Sequence, residues 1–143
     1  MKKMLPVFTF LLGLLVMFAV QAFRSPQPRE KYILQKEKDI ARQMPGPHNG
    51  GGQTIAYPFF EKVEDFKMAF RKRTLKAGSA IGYHLQAEDE VYYILQGEGT
   101  MEMNGDSFPV KAGDAVLTRP GSSHGLKPSA NGELTLLIAY LLK

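Results

Sequence analysis

The sequence predicts an all-β domain, an antiparallel sandwich or barrel, and three observations predict it. Short runs rich in β-branched and aromatic residues recur from residue 54 to the end of the 143-residue chain. Turn signals separate them: Lys76-Ala77-Gly78, Asn104-Gly105-Asp106, Lys111-Ala112-Gly113-Asp114, Pro120-Gly121 and Asn131-Gly132. Almost no stretch of this region carries helical periodicity, and many short strands at regular spacing are the mark of sandwiches and barrels. No internal repeat is visible, so a two-barrel chain is excluded.

The front of the chain reads differently. Lys2 and Lys3 precede an apolar run from Leu5 to Val20, and Val20-Gln21-Ala22 places small residues where a signal peptidase reads them. Residues 1–22 are therefore expected to be a secretory signal peptide, cleaved after Ala22. The competing reading is an uncleaved anchor, since the run approaches the ~18–20 residues that span a bilayer. The mature protein is then secreted or periplasmic, with no stable membrane insertion after cleavage. Residues 23–53 form an N-terminal arm and loop. Phe23 to Lys31 is charged and proline-containing, and Tyr32 to Met44 fits a short helix or an arm lying on the domain. Pro45-Gly46-Pro47-His48-Asn49-Gly50-Gly51-Gly52 continues neither element. Its glycines lack the following Lys-Ser or Lys-Thr of a phosphate-cradling loop, so it reads as a plain connection.

Residues 54–143 form the barrel domain, with strands expected at 54–60, 66–75, 81–86, 91–97, 99–103, 107–111, 115–118, 125–127 and 134–142. Asn104-Gly105 makes a hairpin turn, because both residue types tolerate positive φ. Met68, Met101 and Met103 read as an inner barrel face. Tyr83, Tyr92, Tyr93, Phe59, Phe60, Phe66 and Phe70 read as packing aromatics.

Charge and cysteine usage narrow the function. The formal charge of the whole chain is +4, and loss of Lys2 and Lys3 reduces it to about +2, too mild to imply nucleic acid. Arg71-Lys72-Arg73 is a short basic run, read as a solvated strand edge. The chain has no cysteine, which rules out disulfides and thiolate ligands. Nothing resembles a Ser/His/Asp arrangement or a nucleotide loop.

One spaced set carries chemistry: Gly78, His84, Gln86, Glu90 and Gly97, then Gly113-Asp114, Pro120-Gly121 and His124. In a strand, residues two apart share a face, so His84 and Gln86 point one way and Tyr83 and Leu85 the other. Glu90 opens the next strand, with Tyr92 and Ile94 on its face, and His124 can close the set from a strand distant in sequence. Two imidazoles and a carboxylate suit a mononuclear divalent metal with open positions. Gln86 adds a weak oxygen ligand or an outer hydrogen bond.

Residues 78–128 resemble the two sequence motifs of the cupin superfamily. The first matches at Gly78, His84, Glu90 and Gly97 with every spacing kept, and the second at Gly113, Gly121 and His124. The resemblance implies a single double-stranded β-helix, or jelly roll, often dimeric, with a metal in the barrel mouth. By position it makes His84, Glu90 and His124 metal ligands and puts Gln86 in the slot of the family's second histidine. Arg119 stands where the motif has proline, and Pro128 where it has asparagine. The implied cofactor is a divalent ion (Mn, Fe, Ni or Zn), and the implied partners are a small-molecule ligand and a second copy of the chain.

Two functions from different classes follow. One is a metal-dependent enzyme, an isomerase, lyase or dioxygenase, acting on a small oxygen-rich substrate such as a sugar acid or other carboxylate. The other is a non-catalytic binder of small molecules or sugars in the cell envelope. A barrel without metal is the third possibility.

Overall fold

Alternation of buried and more exposed residues, clearest along residues 90–96 and 134–141, builds two facing sheets. The computed structural model describes residues 30–143; the leader expected at 1–22 and the start of the arm lie outside the described residues. The architecture below belongs to the compact unit of residues 35–143. Among the described residues a single helical turn, α1 (Glu37–Ile40), precedes ten strands. These are β1 (Arg42–Gly46), β2 (Gly51–Phe59), β3 (Met68–Leu75), β4 (Ile81–Leu85), β5 (Glu90–Gln96), β6 (Glu98–Met103), β7 (Asp106–Lys111), β8 (Ala115–Thr118), β9 (Ser123–Pro128) and β10 (Leu134–Leu141).

The six-stranded sheet runs β1-β2-β3-β10-β5-β8 and the four-stranded sheet β4-β9-β6-β7. Every pairing is antiparallel, as a jelly roll requires. The expected all-β cupin barrel is the fold observed. Ile94, Leu134, Leu136 and Leu75 from the larger sheet meet Ile81, Met101, Val110 and Leu126 from the smaller to form one core. Burial of each such side chain contributes ~1.5–3 kcal/mol. Asn104 and Gly105 both take positive φ, 51° and 92°, and close the β6–β7 hairpin.

The expected strands appear within a few residues of their anticipated bounds, and three expectations change. Strand structure begins at Arg42, ahead of residue 54, and includes Pro45-Gly46. An edge strand tolerates proline because its outer side has no ladder partner to lose. Arg71-Lys72-Arg73 is not a solvated edge: β3 lies between β2 and β10. Arg73 points inward, is 7% exposed and donates a 2.7 Å hydrogen bond to Thr54 Oγ1. Met68 is exposed, whereas Met101 is buried and Met103 packs on the core. Parity is the reason: in β3 the inward positions are Ala69, Arg73 and Leu75, leaving Met68 on the other face.

Candidate metal centre

The β4–β9 ladder brings two histidines face to face. Ile81 pairs with Leu126, but three positions later His84 pairs with His124 only two positions earlier, so β4 carries a bulge at Gly82-Tyr83. The bulge turns His84 inward opposite His124, and leaves Tyr83 and Leu85 exposed. The imidazole centroids are 4.5 Å apart with their planes tilted by 55°.

Glu90 comes from the other sheet. It opens β5, paired with Thr118 of β8 and Tyr140 of β10, and is buried. One ligating atom from each of His84, Glu90 and His124 lies within 4.8 Å of the others. Gln86 follows β4 and is 7% exposed. Its backbone is tied twice to the Pro120-Gly121 turn: its N–H donates to Ser122 O (2.8 Å) and its carbonyl accepts from Gly121 N–H (2.9 Å). The turn thereby sets the height at which His124 enters the site.

Hydrogen bonds define which nitrogens are free. His84 Nδ1 lies 2.8 Å from the Gly82 carbonyl, which can only accept, so Nδ1 carries the proton and Nε2 keeps its lone pair. His124 is fully buried, with Nε2 3.0 Å from the Tyr92 hydroxyl and 3.1 Å from Glu90 Oε2. The Glu90 contact is close but not aligned as a hydrogen bond. Glu90 Oε2 and His124 Nδ1 are both buried without a hydrogen-bond partner. A carboxylate oxygen in that condition costs several kcal/mol unless a positive charge meets it. Ring nitrogens of two imidazoles lie within 4.8 Å of the Glu90 carboxylate. The donor set fits a divalent cation.

Tyr92 shares the inner face of β5 and is held well above the ordinary phenol range, first by burial and then by the neighbouring Glu90 carboxylate. Its hydroxyl therefore stays protonated, with Glu90 as a hydrogen-bond partner.

The sequence missed one residue here. His48, in the loop joining β1 and β2, lies flat on His84: ring centroids are 3.5 Å apart and the planes differ by 2°. Burial, then the His84 imidazole, hold His48 below its ordinary range, against an opposing pull from Glu90. A signal was available. The chain has three histidines, and all three meet in this one place.

The comparisons with known proteins agree with this architecture. Residues 72–140 match the family described as Cupin domain. An oxalate-binding protein from Thermotoga maritima is 40% identical over 83 residues, which are 57% of this chain and 69% of that protein. An uncharacterised protein from Methanocaldococcus jannaschii is 31% identical over 124 residues, covering 85% and 87% of the two chains. Among solved structures, a protein from T. maritima described as a predicted oxalate decarboxylase superposes with a TM-score of 0.68 at 30% identity, covering 78% of this chain and all of that one. The chain belongs to the cupin family.

Proposed function

We propose that the protein is an exported, metal-dependent cupin that takes a small carboxylate onto a divalent ion held by His84, Glu90 and His124, with Gln86 as a weak fourth donor. One observation carries the reading: Glu90, which has a buried carboxylate oxygen without a hydrogen-bond partner, shares a cluster of donor atoms within 4.8 Å with two imidazoles. Such an ion supplies Lewis acidity, because one protein carboxylate leaves a divalent cation with net positive charge for an anionic ligand. Around it, His84 would offer Nε2 because Gly82 fixes its tautomer, and the protonated Tyr92 hydroxyl lies beside Glu90 and 3.0 Å from His124 Nε2.

Similarity to an oxalate-binding protein and to a predicted oxalate decarboxylase supports small dicarboxylates as the substrate class. The enzymatic reading is isomerase, lyase or dioxygenase chemistry on such a ligand. The second reading, a non-catalytic binder, is favoured by the oxalate-binding relative alone. Calorimetry of the Mn- or Ni-loaded protein with oxalate and a panel of uronates and dicarboxylates tests the shared claim; metal-dependent binding is expected, and equal binding after chelation would overturn it. Product analysis on the same panel, after loading with Mn, Fe, Ni or Zn, separates the two readings.

Two further parts of the reading concern location and assembly. Lys2-Lys3, the apolar run and Val20-Gln21-Ala22 support export with a mature start at Phe23. The outer face of the six-stranded sheet supports a homodimer. Val91, Tyr93, Leu95 and Leu117 stand exposed on it side by side, an apolar patch of the kind a second subunit covers.

A further inference from the structure

The β1–β2 loop is built to put one ring in one place. His48 and Asn49 both take positive φ, 53° and 60°, a conformation that costs non-glycine residues of order 1 kcal/mol or more each. The loop is pressed against the start of β4. Gly82 N–H donates to Pro47 O at 3.0 Å, and Gly50 N–H donates to the same carbonyl at 3.0 Å. A side chain at Gly82 would overlap the His48 carbonyl oxygen, and one at Gly50 would overlap that of Ala80. The backbones meet only because both positions lack a Cβ.

The result is a closed circuit of contacts around His84. Its Nδ1–H is held by Gly82 O, Gly82 N–H is held by Pro47 O, and the next residue, His48, covers the face of the His84 ring. His84 is half-buried, so without His48 that ring face would be open to water. By the cupin motif, Gln86 stands in the slot of the family's second histidine, and an amide oxygen ligates more weakly than an imidazole. The site therefore leans more heavily on the orientation of its two remaining imidazoles.

We propose that His48 is a positioning residue for the metal centre, acting through the face of its ring to hold the His84 rotamer, and not a donor itself. The proposal rests on His84 being a ligand, as argued above. It is consistent with the donor cluster, which gathers His84, Glu90 and His124 without requiring His48. Groups that fix a ligating histidine change affinity by roughly 10–100-fold when removed.

The test uses the full mature chain and cobalt(II) or nickel(II), with affinity measured by chelator competition and the cobalt absorption band recorded. His48→Gly removes the ring while relaxing the positive φ, so the fold is not penalised; melting of the metal-free protein verifies this. His48→Phe keeps a flat ring and has no nitrogen. His48→Gly is expected to weaken binding about 10-fold and to broaden the cobalt band, while His48→Phe stays within about threefold of wild type with the band intact. Wild-type affinity and spectrum in His48→Gly would overturn the proposal. Equal loss in His48→Gly and His48→Phe would overturn it too, by making His48 a donor. His84→Ala is the control for the site: if that variant retains the ion, the metal reading itself fails, whatever His48 does.

Discussion

His84 and His124 are cross-strand partners in the β4–β9 ladder, forty residues apart in the chain and opposite each other in register. Their convergence depends on the bulge at Gly82-Tyr83, since an unbroken ladder from the Ile81–Leu126 pair would put Tyr83 opposite His124. The donor set is thus a property of strand register as much as of residue identity.

Graded loss of metal is the first expectation. His84→Ala and His124→Ala each remove a strong donor and should lower affinity by more than the roughly 10–100-fold typical of an outer contact. Gln86→Ala removes a weaker one and should cost less. Gln86→His should tighten binding, since imidazole is the better donor. Metal content of protein purified without a metal-binding tag checks the series. Equal content in wild type, His84→Ala and His124→Ala would show that the ion sits elsewhere.

Stability should track the ion. Melting temperature is expected to rise with free metal concentration, by mass action on the folded state, and to return to the metal-free value on chelation. The gain should fade on acidification, because histidine must be neutral to ligate. Calorimetric melts at several metal concentrations and two pH values measure both effects.

Tyr92 gives an alkaline signature in the metal-free protein. Its folded pKa is raised, by burial first and Glu90 second, so the folded state holds the phenol proton more tightly than the unfolded chain. The stability it contributes is fully present below about pH 10, the unfolded value, and is lost as pH rises through the folded value. Phenolate absorbance should therefore lack Tyr92 until the protein unfolds. Tyr92→Phe should flatten the fall in stability above about pH 10, and an unchanged slope would remove Tyr92 as its cause.

Association through the outer sheet face is open to a direct assay. Light scattering at micromolar concentration should give a dimer, and Tyr93→Glu, which puts a charge in the middle of the patch formed with Val91, Leu95 and Leu117, should give a folded monomer. A monomeric wild type would exclude this surface as a self-interface.

The strands from 68 onward were legible because each rests on local information, and the trio His84, Glu90 and His124 because its spacing resembles the cupin motifs. Strand parity assigns a face, and glycine and Asn-Gly positions mark the turns. Non-local features were not legible in this way. Arg73 reads as one of three solvated cations until β10 is known to lie beside β3, which makes its strand central. β1 is hidden because Pro45-Gly46 reads as a stop, and an edge position alone excuses it. His48 was missed for a related reason: its role depends on backbone contact between its loop and the segment around Ala80 and Gly82, which no periodicity records.

The two imidazoles stand on the four-stranded sheet and the carboxylate on the six-stranded one. Neither sheet alone holds the donor set, so an ion can be captured only after the two have docked. Such an ion would work as a bolt that must be withdrawn before they part. Its effect belongs on the unfolding limb of the kinetics: loaded and empty chains should fold at similar rates, while the loaded one should persist far longer once folded. For a protein exported as proposed, beyond the reach of cytosolic chaperones and with no disulfide to hold it, the lifetime of the folded state would then be set by metal supply.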